Sequence, residues 1–234
     1  MTVALEYQNV SVCYEHANDK VLRSVTLSIE QGERVALMGL NGSGKTSLLL
    51  ATVGLVPSEG NIIVCGMKLD RKTLAAVRGK VGFLFSVPED QLLFPNVLDD
   101  VGFGAIRSGL TREAARQSAL EVMSALGVDS LANAPLYALS HGQKQRIALA
   151  GALVTNPPVL LLDEPSAGLD PPAKRTFAQY LTTLPSALLV ATHDLEFASR
   201  VCHRYVLLDG GQVSRQGTRI HEVESCWLPR EART

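Results

Sequence analysis

The sequence has no apolar run long enough to cross a bilayer. Its longest, Val159–Leu162 and Ala187–Ala191, fall far short of the about 18–20 residues that a spanning helix needs. Aromatic residues make up only 5%, too few to line a groove that stacks the bases of a single strand. There is no surplus of positive charge: 22 Lys and Arg face 23 Asp and Glu, a formal net charge of −1. That balance argues against a nucleic-acid binder working through bulk charge. The four cysteines, Cys13, Cys65, Cys202 and Cys226, form no CxxC pair, and the five histidines form no HExxH. Neither a zinc cluster nor a redox pair is expected, and the cysteines read as small apolar or surface residues in a reducing compartment. The first twelve residues carry no basic stretch followed by an apolar one, so no secretory leader is expected. What is present is a 234-residue chain with 46% hydrophobic and 19% charged residues, which excludes disorder and allows one large domain with an inserted subdomain.

Alternating Val3, Leu5, Tyr7 and Val25, Leu27, Ile29 predict strands. The continuous apolar stretch Arg34–Gly39 predicts a strand buried on both faces, followed by a helix over Lys45–Val53. Further strands are expected at Asn61–Cys65 and Lys80–Phe85. Residues 86–155 differ: apart from a loop at Ser86–Pro95 they read as helical throughout, with one helix over Thr111–Leu126. Strand and helix then alternate through Val159–Asp163, Pro171–Thr183, Ala187–Thr192 and Leu195–Val201. A hairpin, Arg204–Asp209 and Gln212–Gln216, turns at Gly210-Gly211, and the charged Pro229–Thr234 reads as a frayed end. The expected fold class is α/β: an N-terminal antiparallel β subdomain joins a core formed by 1–85 and 156–234, and 86–155 is a helical insertion.

Two motifs carry chemistry. Gly39-Leu40-Asn41-Gly42-Ser43-Gly44-Lys45-Thr46, continuing into Ser47, fits GxxxxGK[ST] between a strand and a helix. Glycines let backbone N–H groups close around phosphate, and the helix N-terminus adds partial positive charge. Lys45 would reach the terminal phosphates, and the Thr46 hydroxyl would coordinate Mg²⁺. The second motif is an apolar strand ending in Asp163-Glu164. Adjacent strand residues face opposite sides, so the two acids are expected to divide their work: Asp163 on Mg²⁺, Glu164 as general base for the attacking water.

With these residues on the page, the chain resembles the ATP-binding-cassette (ABC) ATPases, P-loop enzymes with an inserted helical subdomain, over essentially its whole length. Leu139-Ser140-His141-Gly142-Gln143 is similar to the family signature LSGGQ, with His for the first Gly. Ser166–Asp170 is similar to the D-loop, His193 to the switch histidine, and Tyr14 stands where the family stacks an aromatic ring on adenine. Ser140 with Gln143 is also a capping box, and Asp170 before Pro171 is also a helix cap; both readings are compatible with the family roles. The resemblance implies a head-to-tail dimer holding two ATP molecules. In it Ser140, His141, Gly142, Gln143 and Asp170 of one copy complete the other's site, and His193 contacts the γ-phosphate and the water held by Glu164.

Within the family, Val81–Gly104 and Leu139–Leu153 most resemble the ATPases of energy-coupling-factor transporters, in the cobalt and nickel branch. This implies attachment to a membrane T-component, whose coupling helices press into a groove, and an S-component that selects the cargo. The ATPase would sit peripherally on the cytoplasmic face of a prokaryotic membrane, with no nucleic acid among its partners. The vitamin (biotin) branch is the alternative cargo class. A soluble cassette protein of translation or DNA repair, or an exporter ATPase, fits the sequence less well. One departure stands out: Ser86 occupies the slot where the family carries a Gln, while Gln91 is present five residues on. Ser86 is expected to weaken metal-linked coupling, contacting the ion at most through water, and Gln91 to keep a contact role at the partner surface.

Overall fold

The structure, a computed structural model, describes residues 2–14 and 19–224. Cys226 and the expected frayed end at Pro229–Thr234 lie outside the described residues. The chain runs β1 (Val3–Val12), β2 (Leu22–Glu30), β3 (Arg34–Met38), α1 (Lys45–Thr52), β4 (Ser58–Val64), β5 (Met67–Lys68), α2 (Leu74–Arg78) and β6 (Val81–Leu84). Three longer helices follow, α3 (Val97–Arg107), α4 (Arg112–Ala125) and α5 (His141–Leu153). The last part is β7 (Val159–Asp163), α6 (Pro171–Thr183), β8 (Ala187–Ala191), α7 (Leu195–Val201), β9 (Arg204–Asp209), β10 (Gln212–Gly217) and α8 (His221–Glu224).

Two sheets result. A four-stranded antiparallel sheet has the order β2-β1-β4-β5. A six-stranded sheet has the order β10-β9-β3-β8-β7-β6, parallel except for the β10 edge. The continuous apolar strands at its centre feed two cores by simple alternation. Val35 and Leu37 of β3, Val159 and Leu161 of β7, and Leu189 of β8 point toward the antiparallel sheet and α1. Ala36, Met38, Leu160, Leu162, Leu188 and Val190 point the other way, into the core shared with the helices. The carboxyl ends of β3, β7 and β8 lie side by side, where ligands collect in open α/β sheets.

The insertion is not helical throughout. Leu126–Leu139 breaks the helix pattern, holding only short 3₁₀ turns at Asp129–Leu131 and Leu136–Ala138. The cause is local: Gly127, at φ +65°, stops α4, and Pro135 pairs as an isolated bridge with Asn96. The helices that do form are capped by side chains: Asn96 accepts from the Asp99 N–H, and Thr111 from the Ala114 N–H. Ser140 and Gln143 make the full capping box of α5. α2 and a 3₁₀ turn at Pro88–Asp90 were not expected from the sequence.

Candidate active site

The loop between β3 and α1 is built on glycines, each with positive φ. A Cβ on Gly39 would overlap the Leu208 carbonyl and the Ser43 hydroxyl. Gly44, at φ +102°, caps α1, and a Cβ there would come within 2.5 Å of Leu22 Cδ2. Leu40, Asn41 and Gly42 form the exposed outer arc, and Gly42 also has positive φ. Lys45 spans the inside, its Nζ donating to the Gly39 carbonyl at 2.8 Å and to Leu40 at 3.2 Å. The buried Ser43 Oγ has no hydrogen-bond partner. An ammonium, an unspent hydroxyl and the free N–H groups of a helix start thus converge on one concavity, the chemistry of an anion cradle. Burial lowers the Lys45 pKa from its ordinary value, while the Glu164 and Asp163 carboxylates act the other way.

The two motifs, more than a hundred residues apart, meet directly: the Thr46 hydroxyl donates to Asp163 Oδ2 at 2.8 Å. Asp163 Oδ1 is buried without a partner. Burial holds the Asp163 carboxyl above its ordinary pKa and Glu164 adds to the effect, whereas Thr46, Lys45 and the Ser86 hydroxyl pull it down. One hydroxyl, one buried carboxylate with an unspent oxygen and a nearby Ser86 suit a hard divalent cation. No group of three or more His, Cys, Asp or Glu converges among the described residues. An ion here would therefore draw its other ligands from phosphate and water, as Mg²⁺ commonly does.

Asp163 and Glu164 are separated by a turn rather than by strand pleating. β7 stops at Asp163, and Glu164 takes φ +46° while its N–H bonds the Ala191 carbonyl at 2.8 Å. The turn aims the carboxylate at the end of β8. There Oε1 lies 2.9 Å from His193 Nδ1, and Oε2 accepts from the Thr192 hydroxyl at 3.1 Å. Both oxygens are held, one by a side chain that is 64% exposed and one by a residue that is fully buried. Thr192 also accepts from the Asp194 N–H at 3.0 Å. Asp194 caps α7 and ties the end of β8 to the segment after β7, accepting from Ser166 at 3.0 Å and from Lys174 at 2.8 Å. Burial pushes the Asp194 pKa up, but hydrogen bonds from Lys174, the Phe197 N–H and Ser166 outweigh it and leave it below its ordinary value. The sequence reading missed Thr192, because a threonine at a strand end gives no periodic or motif signal.

Tyr14 comes to the same edge: its hydroxyl lies 3.0 Å from Ser47 Oγ on the first turn of α1, with the ring part-exposed. The remaining predicted residues gather elsewhere. Ser140 Oγ accepts from the Gln143 N–H, and the Gln143 Oε1 accepts from the Ser140 N–H at 2.8 Å. Asp170 caps α6 by accepting from the Ala173 N–H at 2.8 Å. The His141 ring packs so tightly on Gly168 that a Cβ there would meet its Nε2 at 2.8 Å. No hydrogen bond of Ser140, His141, Gly142, Gln143 or Asp170 among the described residues reaches the phosphate loop of its own chain. Gln91 makes two hydrogen bonds that the sequence does not announce. Its Nε2 donates to the Ala148 carbonyl at 2.7 Å and its Oε1 accepts from the Phe85 N–H at 3.3 Å. The amide is a strut between the end of β6 and α5, and the half-buried residue also lines the groove between them.

Comparison with known proteins adds an independent view. The sequence profile described as "ABC transporter" matches residues 22–167. The chain is 35% identical over 224 residues to the energy-coupling factor transporter ATP-binding protein EcfA of Methanosphaera stadtmanae, covering 93% of this chain and 80% of that one. Among solved structures it matches cbiO1 of Clostridium perfringens, part of the ABC transporter complex cbiONQ, with a TM-score of 0.83 and 31% identity over 96% of this chain and 92% of that one. It also matches the dimeric structure of the bacterial ABC transporter cassette MJ0796, with a TM-score of 0.84 and 31% identity over 92% of this chain and 98% of that one.

Proposed function

The chain belongs to the ABC transporter family, whose cassettes bind and hydrolyse ATP, and on that premise we propose that it is the ATPase subunit of an energy-coupling-factor importer of a transition metal ion, cobalt or nickel. The observation that carries the catalytic half of this reading is the junction of the phosphate cradle with Asp163 and the doubly held Glu164.

In this reading the loop 39–47 wraps the phosphates of ATP, Lys45 leaves its own carbonyls for the β- and γ-phosphate oxygens, and the Tyr14 ring covers the adenine. Thr46 and Asp163 would hold Mg²⁺, with Ser86 reaching it through water. The bound ion would neutralise charge on the phosphate oxygens. Glu164 takes a proton from the attacking water, a contribution typically worth about 10²–10⁴-fold. His193 and Thr192 fix the carboxylate so that the base need not search for its orientation. Ser140, His141, Gly142, Gln143 and Asp170 stand apart from their own phosphate loop. With the N–H-rich start of α5 and its capping hydroxyl as donors, they serve the γ-phosphate of a second copy. ATP then holds two cassettes together, and loss of the γ-phosphate lets them part.

The membrane T-component and the cargo-selecting S-component are the other partners, which puts the cassette at the cytoplasmic face of a prokaryotic membrane as a peripheral subunit. No helix among the described residues is long and apolar enough to cross the membrane. The likeness of 81–104 and 139–153 to the cobalt and nickel branch supports the metal cargo. Co-expression with a membrane T-component tests the reading. Recovery in membranes only when that component is present, with labelled cobalt or nickel uptake lost in Lys45→Ala, is the expected result. Uptake of labelled biotin instead would reassign the cargo, and co-sedimentation with ribosomes or DNA would overturn the reading.

A further inference from the structure

Few side-chain polar atoms among the described residues are buried without a partner, and most have a use. Ser43 Oγ and Asp163 Oδ1 belong to the phosphate and cation site, and Arg204 Nε stands 2.8 Å from a Glu33 oxygen. Gln145 is left over. It lies in the second turn of α5 and is 1% exposed, and neither its Nε2 nor its Oε1 has a hydrogen-bond partner. An amide carries two donors and an acceptor, and burying them unpaired costs free energy that an apolar side chain of the same shape would not. A second state of the molecule, in which the amide is paired, accounts for that cost.

The place of Gln145 on its helix points to the partner. Gly142 stands three residues earlier on the same face of α5, and helical side chains lean back over the preceding turn. A Cβ on Gly142 would lie 3.6 Å from the Gly168 carbonyl oxygen and 3.6 Å from Leu169 Cδ2, so this face looks onto residues 168–169. The His141 ring packs on Gly168 at the same junction. Yet no hydrogen bond among the described residues joins 140–146 to 166–170, and none ends on the Gly168 carbonyl. Unspent N–H donors and an unspent carbonyl thus stand on the two sides of one junction.

The junction matters because residues 140–143 belong to the helical insertion and Asp170 to the core, yet both serve the ATP of one second copy. We propose that Gln145 is a positioning residue: its amide donates to the Gly168 carbonyl when ATP joins two copies, locking the start of α5 and the 166–170 turn into one docking edge. The inference rests on the ATP-joined pair proposed above and adds the latch inside each copy that the pair closes. In the single chain the latch is open, and only van der Waals contacts hold the two parts of the edge in register. Closing it fixes both parts at once, so that neither has to search for its place on the partner's ATP.

Gln145→Met in the full chain keeps the length of the side chain and removes the amide. Without ATP the variant should unfold at the wild-type temperature or above it, because an unpaired buried amide is gone. In a Glu164→Gln background its ATP-joined pair should dissociate about tenfold more readily in sedimentation. With Glu164 in place, kcat should fall about tenfold while the single chain's affinity for ATP stays unchanged. A Gln145→Met chain that pairs and turns over like its parent overturns the proposal, whatever its unfolding temperature. A second measurement leaves position 145 intact: in nitrogen-15-labelled Glu164→Gln, a side-chain amide proton of Gln145 should move downfield when ATP is added, as a donor that gains a carbonyl does. A signal that ATP leaves in place overturns the latch even if Gln145→Met folds poorly. If Glu164→Gln stays single with ATP, the ATP-joined pair fails and the latch with it. If it pairs while Gln145 shows no change by either measurement, the latch alone fails.

Discussion

Replacing Thr192 by Val removes one hydroxyl and leaves the outline of a fully buried side chain almost unchanged. The hydroxyl donates to Glu164 Oε2 at 3.1 Å, one of two contacts that orient the base. A hydrogen bond to a charged group is worth about 1.5–3 kcal/mol net. At about 1.4 kcal/mol per tenfold in rate, the loss corresponds to a kcat lower by about 10- to 150-fold. The other holder, His193, is largely exposed and leaves the carboxylate free to turn. Affinity for ATP should change little, since Thr192 makes no hydrogen bond to the phosphate loop. The variant also strips the acceptor from the part-buried Asp194 N–H, so a stability loss of about 1 kcal/mol is expected in thermal unfolding. Steady-state ATP turnover separates kcat from KM, and Thr192→Ser should recover most of the rate by restoring the hydroxyl. A Thr192→Val enzyme within about twofold of wild-type kcat, roughly 0.4 kcal/mol, would refute the positioning role.

Ser86→Gln inserts a longer amide beside Asp163 and should shift the Mg²⁺ concentration that gives half-maximal turnover; unchanged ATPase rate, Mg²⁺ dependence and transport would contradict the role given to Ser86. Gly168→Ala drives a methyl into the His141 ring and adds roughly 1–2 kcal/mol of left-handed backbone strain, so turnover should fall. Adding His141→Gly relieves the collision but not the strain, so in thermal unfolding the double variant should be more stable than Gly168→Ala alone; a double variant no more stable would show that the ring contact does not matter. Burial pushes the Cys202 thiol up to about 12, whereas Cys13 is exposed beside Tyr14. Iodoacetamide on the native chain should therefore modify Cys13 well before Cys202, and ATP should slow the Cys13 reaction. Equal rates at the two sites, read by mass spectrometry, would contradict this.

Much of the architecture was legible because several levels of the sequence agreed. The bounds of α6 and α7, and the start of α5, follow from caps: Asp170, Asp194 and Ser140 each hold an N–H three residues on. β7 was legible as an apolar run stopped by an acid. The site was legible where its residues are contiguous, as in 39–47, and where two acids end a strand. What escaped depends on the third dimension. The turn at Glu164 is a backbone choice fixed by its N–H bond to the Ala191 carbonyl at the end of β8, and pleating alone suggested a different cause for the same division of roles. Thr192 matters only because that turn brings Glu164 to it. The bridge that the Gln91 amide makes between β6 and α5 is likewise a matter of which elements meet. In the insertion, alanine and leucine content suggested continuous helix, but one glycine with positive φ and one proline bridge decided otherwise.

The central claim is that ATP joins two copies of this chain and that Glu164 ends the union by hydrolysis. Sedimentation equilibrium of the Glu164→Gln variant tests it most directly, because the variant keeps the phosphate cradle and loses the base. With ATP and Mg²⁺ the mass should rise from 25.1 kDa to twice that value, and it should remain at 25.1 kDa with ADP. A Glu164→Gln chain that stays monomeric with ATP, or that turns ATP over at the wild-type rate, would contradict the account.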